Sequence, residues 1–278
     1  MRLGGPIHTD DETPEEWTDA LDDRGYRAAA APVGPDASAE TVSAYREAAA
    51  AADVEIAEVG AWGTNPISDD PDERAAAVDQ CVAALELADA IGARCAVNVA
   101  GSRGDRWAAP HPENLTDETF YRIVESVQAI VDRADPDEAV YALEPMPWVY
   151  PHDVESYRSL VEAIDREAFG VHFDPVNLIT SPERYYENAA FVREFVAEFG
   201  DEIEVVHLKD TLLTDDLTVH IDEVRPGAGD LDYHVLLSAL DELDDDLPLL
   251  LEHLDDADAY EQAAAYVRDV AEEVGVSV

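Results

Sequence analysis

Four acid or imidazole side chains in the second half of the chain could carry chemistry together. They are Glu144 in ALEP, Asp174 in HFDP, His207 in VVHLKD and Glu252 in LLEHL. Each stands at the end of a short apolar run. Three carboxylates and one imidazole brought to one point resist joint ionisation, and a divalent cation removes that conflict. Three oxygen donors and one nitrogen, with no thiolate, suit a fairly hard ion. Mn²⁺ or Mg²⁺ is favoured, with Co²⁺ or Zn²⁺ as softer options. Taken singly, a glutamate after an apolar run is usually a loop residue, and a strand-end histidine is usually a hydrogen-bonded structural group. The recurrence in four successive runs is what points to a metal centre.

These runs belong to a regular series. RLGGPI (2–7), RAAAAPV (27–33), VEIAEVGAW (54–62), CAVNVAG (95–101), VYALEPM (140–146), GVHFDP (170–175), IEVVHLK (203–209) and PLLLEHL (248–254) read as strands. Helix-length amphipathic stretches lie between them. Thr13, Ser38, Asp70, Thr116, Asp153, Ser181, Asp232 and Asp255 or Asp256 supply helix-opening caps, three of them followed by proline at the first helical position. Near-continuous apolar strands indicate parallel strands buried on both faces. Eight such βα units predict an α/β fold, a (β/α)₈ barrel forming one domain over residues 1–278. An open doubly wound sheet is the alternative, but no G-x-G-x-x-G or P-loop follows the first strand. Side chains alternate along a strand, so Leu143 and Leu251 face the helices while Glu144, Asp174, His207 and Glu252 face the barrel axis. In such barrels chemistry sits at the C-terminal strand ends.

The formal net charge is −47 over 278 residues, from 64 acidic groups against 17 lysines and arginines. Such a surface disfavours nucleic acid and anionic membranes. The acids are spread among regular apolar segments, which fits adaptation to high salt better than a disordered tail. The two cysteines, Cys81 and Cys95, form no disulfide framework and read as small buried hydrophobes. No stretch approaches a membrane span, and the start lacks a signal-peptide core, so a cytoplasmic location is expected. Nothing in the sequence bars a homo-oligomer.

Lys209 is the only lysine. It shares parity with His207 and lies one step nearer the barrel mouth, which suggests substrate contact or charge balance at the site rim. Trp62, Trp107 and Trp148 follow strand ends and could wall a pocket and exclude water. Glu58 could bond a hydroxyl or be structural. The long loop after the fourth strand carries Arg103, Arg106 and His111 and reads as a lid or specificity element. With Arg225, its arginines could receive a phosphate. His220 and Asp222 are further pocket candidates, as is His8. His152, His234 and His253 read as structural or exposed.

The ordered set Glu144, Asp174, His207 in H-x-K-D, and Glu252 resembles the xylose isomerase-like TIM-barrel superfamily, which includes sugar-phosphate isomerases and epimerases. RPGAGDLDYHVLL (225–237) is similar to that family's arginine- and glycine-rich turn. The resemblance implies one divalent metal on those four residues and a small sugar or keto-polyol substrate. It further implies that Glu144 and Glu252 exchange a proton with substrate through a metal-stabilised enediolate, with Arg225 on substrate oxygens. Ketose 3-epimerases of the superfamily tend to carry a histidine where this chain has Asn177; His172, deeper on the same strand, could supply an imidazole. Inosose dehydratases and hydroxypyruvate isomerases use similar sites, so a dehydratase is the alternative, followed by a non-catalytic metabolite-binding barrel. Abasic-site endonucleases share the barrel but use more histidine ligands and a basic groove.

Overall fold

Eight short strands pair in parallel and close on themselves in the computed structural model, which describes residues 1–7 and 13–278. His8 lies outside the described residues. The first seven barrel strands are β1 (Arg2–Gly4), β2 (Ala28–Ala30), β3 (Glu55–Gly60), β4 (Cys95–Val99), β5 (Val140–Glu144), β6 (Phe169–Phe173) and β7 (Ile203–Leu208). A hairpin of β8 (Asp210–Leu213) and β9 (Ile221–Val224) follows outside the barrel, and β10 (Pro248–Leu251) closes the ring between β7 and β1. The architecture is therefore the single-domain (β/α)₈ barrel that the alternating pattern predicts. All eight expected runs form barrel strands. Most are shorter than the apolar runs at the C-terminal end, where the backbone leaves the ladder to enter the loops that bear the site.

The helices are α1 (Pro14–Arg24), α2 (Ala39–Ala52), α3 (Pro71–Ile91), α4 (Asp117–Ala134) and α5 (Val154–Ile164), then α6 (Pro175–Leu178), α7 (Pro182–Tyr186), α8 (Asn188–Phe199), α9 (Tyr233–Leu240) and α10 (Ala257–Val274). The expected caps hold: Thr13 makes a capping box with Glu16, and Asp256 rather than Asp255 opens α10. Each such cap satisfies amide donors that the first helical turn leaves unpaired. The unit opened by Ser181 is split, because α7 stops at Tyr186 and α8 resumes two residues later.

Two apolar layers result from strand alternation. Outward-facing Leu143, Phe173, Leu208 and Leu251 join the large core under the helices. Phe173 stacks on Phe195 of α8 with ring centroids 4.1 Å apart. The barrel interior holds a smaller plug of Ala28, Ala57, Cys95, Val97, Ala142, Val205 and Leu250. Small residues are forced on the β1–β2 side, where a Cβ on Gly4 would fall 2.0 Å from the Ala28 carbonyl oxygen. The plug fills the barrel floor and leaves the upper interior to polar side chains. No helix among the described residues is long and apolar enough to cross a membrane.

Candidate metal centre

Glu144, Asp174, His207 and Glu252 do converge above that plug. One ligand atom from each lies within 4.8 Å of the others. They come from β5, the end of β6, β7 and the end of β10, successive around the ring. Local structure aims each one. Asp174 caps α6, its Oδ1 accepting from the amides of Val176 at 3.0 Å and Asn177 at 3.2 Å, which leaves Oδ2 for the centre. Asn177 Nδ2 donates to Glu144 Oε1 at 2.8 Å. Tyr157 OH spans β5 and β6, donating to Leu143 O at 2.5 Å and accepting from His172 N at 2.9 Å.

His207 serves two sides. Its Nδ1 lies 2.9 Å from Glu252 Oε1, while Nε2 lies 3.2 Å from Glu58 Oε2. Glu58 faces inward after a register shift between Ala29 and Ala30 of the neighbouring strand. His172 sits below, fully buried, with its ring edge-on to that of His207 at a centroid separation of 4.1 Å. Glu58, His172 and His207 form a second, deeper group of potential ligands.

Lys209 is inside the cage rather than at its rim. Its Nζ is 2.7 Å from Asp174 Oδ2, in contact with Glu252 Oε1, and 3.5 Å from Glu144 Oε1, with the side chain only 1% exposed. Tyr233 OH fixes the strand end by donating to the Lys209 carbonyl at 2.7 Å. The charges follow from these contacts. Burial opposes ionisation of Glu252, but His207 and Lys209 outweigh it and bring its carboxyl down to about 2. Glu144 is likewise held well below its ordinary value, burial being overcome by His207 and Lys209. Burial, with the charges of Glu144 and Glu252, pushes Asp174 up to about 7 against the pull of Lys209. Glu252 and Glu58 hold the His207 imidazole well above its usual range despite burial.

A divalent ion fits this donor set. Asp174 Oδ2, His207 Nδ1 and Glu252 Oε1 are buried and meet one another and the Lys209 ammonium without a well-aligned hydrogen bond. Converging carboxylates need a cation among them, and hard oxygen donors with one imidazole are what a divalent ion requires.

The centre opens into a cavity of about 720 Å³. Trp62, Trp107 and Trp148 line it, as do Asn177, Glu58 and Lys209. Trp148 Nε1 donates to Ala108 O at 3.1 Å, which ties the long fourth loop to the fifth. Other expected contacts lie elsewhere. His172 is beneath the cavity rather than on its wall. His220 is exposed near the hairpin turn, where its carbonyl accepts from Thr214 N. Arg225 is not a wall residue and donates to Pro226 O at 2.7 Å. Arg103 is engaged by Asp69, Glu118 and Thr119. Asp210 organises the 225–231 turn, accepting from the amides of Gly227, Gly229 and Leu231.

Two ionisable wall residues, Glu223 and His253, were not among the expected pocket candidates. Glu223 on β9 and His253 both line the cavity, joined by Nδ1–Oε1 contact at 3.0 Å. His253 was expected to be structural or exposed; it is exposed to the cavity mouth, turned there by a left-handed backbone, φ 56°. The signal for Glu223 was the pair of short runs DTLL and IDEV around an Asp-rich turn, a hairpin pattern.

Comparison with known proteins is consistent with this architecture. No curated protein matches the chain. Among solved structures, D-psicose 3-epimerase with D-tagatose from Clostridium cellulolyticum superposes with a TM-score of 0.72 at 13% identity, covering 100% of both chains. A xylose isomerase-like TIM-barrel protein from Mycobacterium smegmatis in complex with magnesium gives 0.70 at 14% identity over 98% of this chain and 97% of that one. Endonuclease IV from Thermus thermophilus gives 0.75 at 15% identity over 98% and 100%. At these identities the likeness establishes a shared fold. The family model for the xylose isomerase-like TIM barrel matches residues 18–270, and the chain belongs to that family.

Proposed function

We propose that this chain is a divalent-metal-dependent isomerase or epimerase of an unphosphorylated sugar or keto-polyol. The observation that carries the reading is the convergence of Glu144 and Glu252, from strands separated by β6 and β7, on a centre shared with Asp174 and His207. When bound there, a divalent cation supplies positive charge next to the substrate oxygen on which negative charge develops.

The chain's own groups do the rest. Glu252 Oε1 is engaged by His207 and Lys209, which leaves Oε2 towards the cavity. One glutamate accepts the proton from the carbon beside the carbonyl, and the C–H electron pair moves into an enediolate. The other, once it has taken up a solvent proton through the cavity, delivers it to the opposite face of that carbon for epimerisation, or to its neighbour for isomerisation. Positioned carboxylates of this kind contribute roughly 10²–10⁴-fold to rate. Asn177 holds Glu144 in line. The three tryptophans offer apolar faces to sugar C–H groups and keep water from the centre.

The wall composition favours a neutral substrate. No arginine lines the cavity among the described residues, while Glu58, Glu144, Glu223 and Glu252 do. A phosphate would meet that negative field with no arginine on the wall. The same field, with a net charge of −47, sets this site apart from DNA-cleaving barrels. The sugar-bound epimerase structures support the substrate class.

One observation favours dehydration as a second reading. His253, held by Glu223 at the mouth, is placed to hydrogen-bond a departing hydroxyl. Incubation of the metal-loaded protein with ketoses and inososes, followed by NMR, separates the two. A new epimer or positional isomer supports isomerisation, and stoichiometric loss of water supports the lyase.

A further inference from the structure

Lys209 occupies the position a divalent ion would need. Its ammonium touches Asp174 and Glu252 and lies 3.5 Å from Glu144, so three of the four convergent residues already share one cation. Two cations a few ångströms apart in a buried cage repel strongly. One more carboxylate is within reach of the same nitrogen: Glu223 Oε2, 3.8 Å away on β9 and on the cavity wall.

We propose that Lys209 and the divalent ion are alternate occupants of the cage, and that Lys209 vacates it by turning its ammonium to Glu223. This rests on the metal reading above and adds a role for this chain's lysine that the ligand set does not contain. In the metal-free chain the ammonium neutralises the carboxylates and keeps them assembled, which lowers affinity for an incoming ion. Turned to Glu223, it becomes a cation facing substrate beside His253. The hairpin of β8 and β9 thereby serves the centre without contributing a ligand to it.

Calorimetric titration of the metal-free protein with Mn²⁺ tests this, using wild type, Lys209→Met, Glu223→Gln and Asp174→Asn. Lys209→Met should bind at least tenfold more tightly, because nothing must be displaced. Glu223→Gln should bind several-fold more weakly, because the displaced ammonium loses its acceptor. Asp174→Asn should bind none. Unchanged or weaker binding by Lys209→Met, with binding still dependent on Asp174, overturns the exchange and leaves the metal reading standing. Failure of every protein to take up Mn²⁺ overturns both. Should Lys209→Met not fold, the single lysine decides the matter in wild type. With ¹⁵N-lysine labelling there is one side-chain ammonium signal, protected from solvent exchange in the cage. One equivalent of Mg²⁺ should abolish that protection; retained protection with Mg²⁺ bound overturns the proposal.

Discussion

His207 turns Nε2 to Glu58 Oε2, 3.2 Å away across the barrel, while Nδ1 faces the carboxylate cage. A carboxylate behind a ligating histidine fixes the ring's orientation and raises its basicity. Glu58→Gln preserves size and removes the charge. Metal affinity should fall roughly 10–100-fold, measured by Mn²⁺ titration. Unchanged affinity would show that Glu58 merely fills the interior.

Glu144→Gln and Glu252→Gln each delete a proton acceptor without altering volume. Turnover should drop by about 10²–10⁴, with the far-ultraviolet circular dichroism spectrum retained. A folded Glu252→Gln protein that turns over at the wild-type rate refutes the acid/base assignment.

Asn177 donates to Glu144 Oε1 at 2.8 Å. A hydrogen bond to a charged group contributes about 1.5–3 kcal/mol. Asn177→Leu should therefore reduce kcat by roughly tenfold or more, with a smaller change in KM. A change confined to KM would place Asn177 on the substrate instead.

The parity argument was legible because it needs only alternation: Leu143 and Leu251 are outward core residues, and their acidic neighbours face inward. Helix caps were legible for a similar local reason. What distance along the chain does not encode was missed. Lys209 has the expected parity, but its side chain folds back into the cage, a consequence of three carboxylates from other strands. Glu58 was a legible candidate from its own strand, but its partnership with His207 across the barrel, set by a register shift between two strands, was not. Glu223 reaches the cavity only because a hairpin outside the barrel returns over it, and His253 because its backbone is left-handed. Arg225 was expected on substrate oxygens, yet its guanidinium donates within its own turn.

Glu204, on β7 away from the centre, gives a stability test. Burial, with Asp244 nearby, raises its carboxyl from 4.5 to about 7 against the charge of Arg94. Between those values the folded chain keeps a proton that the unfolded chain releases. The stabilisation from this group is therefore complete below about pH 4.5 and lost as pH rises through 7. Glu204→Gln should raise Tm by a few degrees at pH 8, on the order of 2 kcal/mol, and change it little at pH 5. An equal shift at both pH values contradicts the assignment.

The central claim is that paired glutamates at a divalent-metal centre move a proton on an unphosphorylated sugar. Its most direct test is proton NMR in D₂O of metal-loaded protein with a panel of free ketoses and inososes, alongside their phosphate esters. The account predicts that one free substrate loses a single carbon-bound proton signal to deuterium. That exchange should vanish in Glu252→Gln and after chelation, and the esters should stay inert. Exchange that survives both treatments, or occurs only with the phosphorylated compounds, would contradict it.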